Sequence, residues 1–424
     1  MYHEPPAKAS QINIAGKPGH GYIGAMTRSY WHIKNSAGPR NDDSAEIPAR
    51  VDIAVIGGGI VGIAIAYYLN AQGCGQVVVL EKEFVGYGAS GRNAGFLLAG
   101  LAEPYSRLVV GMGREGARSM LQATVENHNL MSEAIREVKI ACDYRRAGTY
   151  HLGVSDIEAR ELEESVALLC QDGFDGEYFD KNEIEGKLGF GNYAGGAFIP
   201  GDGNLDPFAF VRGLSDGLKV IEGFAVEDYG KADGGVIIQG GGRNIRAEMA
   251  VLATNAYTPL LDSFFERLIF PVKGQMLATG PGTRCALGDK TYYANFGYDY
   301  FRQTPDNTIV MGGLRDKFIE TEIGFGDEIN PKLQGGLEDY VGSNIGASEF
   351  SVTARWTGVM GNTIDGLPLV GPLPHNNSVV TAVGCNGHGF GLGMIIARDV
   401  ARALMKGETS DLLRKFSIKR FGTF

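Results

Sequence analysis

Three glycines, Gly57, Gly59 and Gly62, stand in the spacing G-x-G-x-x-G, and Glu81 follows about two dozen residues after the first. The first glycine permits a tight turn, the second lets the backbone close on a pyrophosphate, and the third lets a helix pack against a strand. Ile60 and Val61, between the second and third, fall where the phosphates would sit, at the start of a helix whose unpaired N–H groups and dipole favour an anion. Glu81, with Lys82 beside it, places a carboxylate where the ribose hydroxyls of an adenine dinucleotide can donate to it. Other chemistries have no comparable pattern. There is no Ser-His-Asp arrangement, no HExxH and no clustered Cys/His site, so neither hydrolysis nor a metal is expected.

The elements that must hold these glycines are legible around them. Residues 52–56 are a short β-branched run, residues 63–69 continue as a helix, and "QVVVLEK" is a second apolar strand ending near Glu81. The stretch 52–70 is uncharged between its ends, close to the lower limit of a membrane span of about 17–25 residues. Three consecutive glycines and the lack of a basic flank argue against a span, and none is expected.

With 424 residues the chain has room for two lobes. Acidic residues outnumber basic ones 49 to 39, for a net charge of -10, which leaves no global footprint for nucleic acid or an anionic membrane. The five cysteines are far apart and form no CxxC pair, which fits a reducing cytoplasm. The first fifty residues show no secretory signal, and the opening "MYHEPPAKASQINIAGKPGHG" reads as a loose polar arm. The 63 glycines cluster at 57–62, 86–100, 240–242 and 384–393, as tight turns or a closely approached ligand require.

After Glu81 comes "EFVGYGASGRNAGFLLAG", where a nicotinamide-dependent dehydrogenase would continue into a helix and another strand. The G-x-G-x-x-G turn together with "GASGRNAGF" resembles the D-amino-acid-oxidase-like family of FAD-dependent amine oxidoreductases. That resemblance implies that Ala89, Ser90, Arg92, Asn93, Ala94 and Gly95 run from the pyrophosphate along the isoalloxazine ring. It also implies that the backbone of Val226 contacts adenine, and that Ala253 and Thr254 close over the ADP half. Asn255 takes the place of a commoner glycine, and asparagine tolerates left-handed backbone. "RWTGVMGNTIDGLPLVGP" and "VVTAVGCNGHGFGLGMIIARDVARALMKG" resemble the family's last FAD segment, which brings Gly361, Asn386, Gly387, His388, Gly389, Phe390 and Gly391 to the flavin. The N–H groups of "NGHGFGLG" would face the pyrimidine edge, where the helix after them stabilises the anion of a reduced flavin. The resemblance covers residues 51–407.

The expected architecture is α/β with α+β: a Rossmann-like FAD-binding domain and an inserted substrate domain on a mostly antiparallel sheet. Its expected division is an arm at 1–49, an FAD-binding domain at 50–100, 195–265 and 355–424, and a substrate domain at 101–194 and 266–354. Helices are expected over 115–138 and 157–170, and strands in "YRRAGTYHLGVS", "PVKGQMLAT", "GYDYFRQTPDNTIVMGG" and "EFSVTARWTG".

"IFPVKGQMLAT" resembles the glycine-oxidase and sarcosine-oxidase branch, while "DYFRQTPDNTIVMGG" with "SGRN" and "GCNGHG" is closer to gamma-glutamylputrescine oxidase. On that resemblance Tyr300 and Arg302 line the substrate face of the flavin, with Arg302 suited to grip a carboxylate bidentately. A surface or ion-pair role is the alternative for Arg302. Lys273 is a candidate for polarising oxygen or holding a water near the flavin, with a salt bridge as its alternative. His388 is placed beside the flavin, and Tyr298 and Trp356 either wall an apolar cavity or simply pack. The implied reaction is hydride transfer from the α-carbon of a small amine or amino acid to flavin N5, followed by hydrolysis of the imine. Reoxidation by O2 would release H2O2, and another acceptor would make a dehydrogenase. A glycine/sarcosine-type amino-acid oxidase and a non-catalytic FAD-binding scaffold subunit are the competing readings, and the oligomeric state is open. FAD is expected to be non-covalent. Relatives of the sarcosine-oxidase type attach it through a cysteine seven positions before an aspartate matching Asp365, where this chain has Gly358, and "GASGRN" lacks the alternative histidine.

Overall fold

In the computed structural model of the chain, which describes residues 27–40, 47–101 and 103–422, the glycine-rich stretch is a strand, Arg50–Ile56, and a helix, Ile60–Ala71. The helix has 12 residues, and no helix among the described residues is long and apolar enough to cross a membrane. Arg50–Ile56 lies at the centre of a sheet, with Val77–Leu80 and Arg243–Leu252 parallel on either side. Val220–Ile221 and Asn376–Val383 extend it in parallel, and Leu369–Leu373 closes one edge antiparallel. Both faces are covered, so its strands are apolar without alternation: Ala54, Val55, Val78, Val79, Ala250 and Val251 are fully buried. Helices Ile60–Ala71 and Gly389–Lys406 pack on one face, and the hairpin Val226–Ala232 with Gly235–Gly240 packs against the other.

The second sheet has eight strands, in the order Val352–Thr363, Ile269–Thr279, Ile309–Gly312, Asp299–Gln303, Thr291–Ala294, Thr149–Gly153, Gly195–Ile199 and Glu177–Asp180. Every pairing is antiparallel except that of Thr291–Ala294 with Thr149–Gly153. Residues paired across strands share a face. The registers therefore set Ala197, His151, Tyr293, Tyr300, Gly312, Met276 and Trp356 in one row on one face. The opposite face is covered by helix Pro331–Asp339, whose Leu333 and Leu337 pack on Leu277 and Met311.

Two expected boundaries are corrected by these hydrogen bonds. Gly195–Ile199 and Val352–Thr363 are strands of the second sheet, so divisions at 195 and 355 fall within it. "GGAFI" is short and opens on two glycines, and nothing local in it says which distant strand it joins. The helix expected from 115 begins at Tyr105 and bends at Gly113, whose φ of 74 breaks the helical periodicity. The polar opening "MYHEPPAKASQINIAGKPGHG" lies outside the described residues. Further along the expected arm, Tyr30–Lys34 is a helix capped by Ser29, with Trp31 and His32 buried.

Candidate active site

The glycine turn is fixed by contact as well as by conformation. Gly57 has φ 114, which L side chains rarely adopt, and a Cβ on it would stand 2.7 Å from the Ala253 carbonyl oxygen. A Cβ on Gly62 would stand 2.0 Å from the oxygen of Gly57. Gly59 is the N-cap of Ile60–Ala71, and no side chain caps it there. Ser90 Oγ instead takes the N–H of Ile60 at 2.9 Å, joining the helix start to the second glycine loop. Glu81 accepts the N–H of Gly58 at 2.6 Å on one carboxylate oxygen and that of Glu83 at 2.9 Å on the other. Burial pushes its pKa up, against the pull of those two amides. Lys82 is exposed. Val226, half-buried, begins its strand two residues after Phe224, whose N–H bonds the Glu81 carbonyl at 2.8 Å, so the residue expected at adenine lies at the Glu81 end of the sheet.

The loop that follows is folded on itself by Asn93, whose amide donates to Ala89 and Ser90 at 3.0 Å and accepts from Gly95 at 2.7 Å. Ala94 is buried beneath it. Arg92 departs from expectation: its guanidinium does not lie along the loop. It donates to the carbonyls of Tyr87 (2.9 Å) and Thr357 (3.0 Å) and lies 3.6 Å from Asp327, tying the loop to the second sheet. Trp356, fully buried, donates to the Arg92 carbonyl at 2.8 Å, which is packing rather than a cavity wall. Behind the loop stands a segment that periodicity did not single out. Ser29 donates to Gly91 at 2.6 Å, Trp31 to Asn93 at 2.7 Å, and His32 Nε2 to Gly86 at 3.1 Å. Burial pulls His32 down to about 4, so it is neutral. "SYWH" is too short to show a helical pattern.

The third loop is held by two asparagines. Asn255 has φ 46, as a glycine substitute must, and its side-chain oxygen accepts from Gly384 and Cys385, each at 3.0 Å. Thr254, half-buried, bonds Thr258 through its hydroxyl at 2.9 Å. Asn386 donates its N–H to Gly361 at 3.0 Å and accepts from Thr363 at 2.8 Å. A Cβ on Gly361 would meet the nitrogen of Ala256 at 2.9 Å, so this strand and the turn after Ala253 touch. Gly387, His388, Gly389 and Gly391 then lead into the helix Gly389–Lys406, with Phe390 buried. Asn127, unforeseen, inserts from helix Tyr105–Val138. It donates to the Phe390 carbonyl at 2.7 Å and accepts from Met394 at 2.9 Å, opening the first turn. His388 Nδ1 lies 3.2 Å from the Asn386 carbonyl, and burial lowers the imidazole pKa.

Above these loops the second sheet presents Tyr300. Its hydroxyl and Met360 Cε both lie 3.4 Å from the Cβ position of Gly274, and Met360 Sδ lies 3.3 Å from that of Gly387. Arg315, also unforeseen, has Nη1 3.8 Å from Met360 Sδ and its guanidinium 5.4 Å over the ring of Tyr298. Burial raises the Tyr300 pKa against the pull of Arg315, so its hydroxyl stays protonated.

Two expected catalytic residues are elsewhere. Arg302 shares the face of Tyr300 but is 2% exposed, one row deeper. It donates to Asn204 Oδ1 at 2.5 Å and the Leu205 carbonyl at 2.6 Å, under the ring of Trp31 at 5.0 Å. With both terminal nitrogens so engaged, the geometry favours an internal tie over the carboxylate grip. Lys273 follows the strand alternation to the face opposite Gly274 and lies 3.6 Å from Glu328, the salt bridge that was its alternative.

The turn, the helix start beside Glu81 and the glycine loop heading the second helix fit FAD. Glu81→Ala is expected to weaken FAD retention by about 1.5–3 kcal/mol, as for hydrogen bonds to a charged group. The check is the dissociation constant from flavin fluorescence, and unchanged affinity in a folded variant would remove Glu81 from the ribose. Attachment is expected to be non-covalent. The Cβ position of Gly358 is 3.3 Å from Arg92 Cβ, and the buried Cys385 thiol is pushed up to about 12. Acid precipitation should give a yellow supernatant and a colourless pellet, whereas a pellet still yellow after washing would contradict this.

Residues 52–403 match the family described as FAD dependent oxidoreductase, DAO. A probable oxidoreductase, OrdL, of Haemophilus influenzae is 27% identical over 377 residues, covering 84% of this chain and 83% of that protein. Gamma-glutamylputrescine oxidoreductase of Escherichia coli is 26% identical over 385 residues, 84% of each. The crystal structure of glycine oxidase from Geobacillus kaustophilus shares the fold, with a TM-score of 0.75 and 24% identity over 88% of this chain and 99% of that one. Since the matched stretch takes in all three glycine loops and the strand bearing Tyr300, the chain belongs to the DAO family of FAD dependent oxidoreductases.

Proposed function

We propose that the protein oxidises the C–N bond of a small amine, in the manner of gamma-glutamylputrescine oxidoreductase, with an imine hydrolysed to a carbonyl as its product. The observation that carries this reading is the group formed by Tyr300, Met360 and Arg315, which meets Gly274 on the sheet and, through Met360, Gly387 of the last cofactor loop. FAD, held by the Gly57 turn, Glu81 and the loops at Asn93 and Gly387, would supply the hydride acceptor. The chain contributes orientation and proton placement. Tyr300 offers a protonated hydroxyl to the substrate. His388 is kept neutral by burial, and because its Nδ1 donates to the Asn386 carbonyl, Nε2 is the atom that accepts a proton. Trp356 and Met276 close the sheet behind Tyr300 against water. The five unpaired cysteines support a cytoplasmic setting.

Arg315 favours a second reading, oxidation of an amino acid whose carboxylate pairs with that guanidinium. Anaerobic titration of the holoprotein with simple amines and with amino acids tests both, read as bleaching of the flavin band. Bleaching by amines supports the first reading, and bleaching by amino acids that Arg315→Met abolishes supports the second. No bleaching by either class would leave a scaffold subunit. Peroxide release in air separates an oxidase from a dehydrogenase.

A further inference from the structure

The row of side chains that carries Tyr300 continues through Tyr293 to His151 and Ala197. There, helices Tyr105–Val138 and Asp156–Gln171 roof a cavity of about 440 Å³ with a mainly apolar wall that includes Leu121, Leu162 and Val166. Tyr293 is its partition from the site described above: the ring stands edge-on to His151 at 5.6 Å, and the residue pairs across the strands with Tyr300 on its other side. Residues 99–101, continuing from the flavin loop, form another wall.

Behind the His151 that lines this cavity, one polar group is unspent. Asp202 is fully buried and accepts the Ala99 N–H at 2.8 Å through Oδ1, whereas its Oδ2 has no hydrogen-bond partner and stands 3.7 Å from His151 Nε2. Of the acids that line the cavity, Asp175 is exposed to solvent and the other two are committed. Glu158 holds the amides of Val154 (2.9 Å) and Phe296 (2.5 Å), and Glu103 holds Arg107 at 3.1 Å. His128 is bonded to the Tyr144 hydroxyl at 3.0 Å, and Arg146 donates to Gly201 at 2.9 Å. A buried carboxylate with a spare oxygen, reached through an imidazole, suits a donor at the end of an apolar chain. A glycine-sized substrate would leave a space of this size unfilled.

We propose that this cavity receives the non-reacting tail of the amine, an apolar chain of several carbons ending in a second amino group that pairs with His151 and Asp202. The proposal rests on the amine-oxidation reading, and binding without turnover tests it separately. The probes are primary n-alkylamines from methyl to octyl and the corresponding α,ω-diamines, titrated anaerobically into the holoprotein and followed by melting temperature and by the flavin band. Affinity should rise along the alkyl series, about fourfold per buried methylene, and diamines should exceed alkylamines once the chain spans the cavity. Ala197→Trp, or Val166→Phe if that variant fails to fold, should flatten the dependence on length and leave methylamine unchanged. His151→Phe should erase the advantage of the diamines alone. Affinity independent of length in the unaltered protein, or length dependence that survives the filled cavity, overturns the proposal. Length-dependent binding with no bleaching by any amine supports the tail cavity and removes the amine-oxidation reading. Bleaching by all amines with length-independent binding does the reverse.

Discussion

Gly62→Ala is expected to yield a folded protein that leaves purification without FAD. The added Cβ would lie 2.0 Å from the carbonyl oxygen of Gly57, and both atoms belong to backbone, so no side-chain rotation relieves the contact. Relief requires the turn to open, which moves the start of Ile60–Ala71 away from Glu81 and Ser90 together. About 3 kcal/mol, the upper end for overpacking, corresponds to more than a hundredfold loss of affinity. The ratio of flavin to protein absorbance reads the loss, and circular dichroism verifies the fold. Gly73→Ala, just past the far end of the same helix, is the control: its φ is 74 and its Cβ position has no neighbour within 4 Å, so it strains the backbone without touching the cradle. A Gly62→Ala protein that keeps its FAD would show that this turn does not hold the pyrophosphate.

Arg302→Ala is expected to destabilise the fold by about 3–5 kcal/mol, the range for breaking a buried charged network. The change leaves Asn204 Oδ1 and the Leu205 carbonyl without a donor and opens space beneath Trp31 and beside Gly95. Burial lowers the guanidinium to about 10, so at neutral pH it is charged and both hydrogen bonds are charge-assisted. Denaturant unfolding measures the loss. The kinetic signature separates this role from the carboxylate grip. Arg302→Ala should change KM by the same factor for carboxylate-bearing and simple amines, and Arg315→Ala should change the two unequally. A stable Arg302→Ala protein with a selective rise in KM for carboxylates would restore the grip.

The features legible in the chain are those whose physics is local. The turn at Gly57 and Gly62, the carboxylate of Glu81, the left-handed Asn255 and the stop of helix Gly389–Lys406 at Gly407, φ 71, each depend on contiguous residues whose allowed backbone angles and caps are set by their own types. The folding of "GASGRNAGF" around Asn93 is of the same kind, since all three of its bonds reach no further than Ala89 and Gly95. Strand parity was legible too: Tyr300 and Arg302 had to share a face.

Which row of that face meets the cofactor loops was decided only in three dimensions. Register depends on partners far along the chain, and Arg302 falls one row below Tyr300, where the Trp31 segment and Leu205 close over it. Lys273 went to the opposite face because Gly274 and Met276 are the residues its strand turns towards Tyr300. Arg315 reaches the site from a turn with no periodicity to mark it. The single parallel pairing of Thr149–Gly153 with Thr291–Ala294 puts His151 beside Tyr293, although more than a hundred residues separate them. No local preference encodes such a pairing. It is selected by the apolar surface that both sheets bury together, a quantity that exists only once the whole chain has folded.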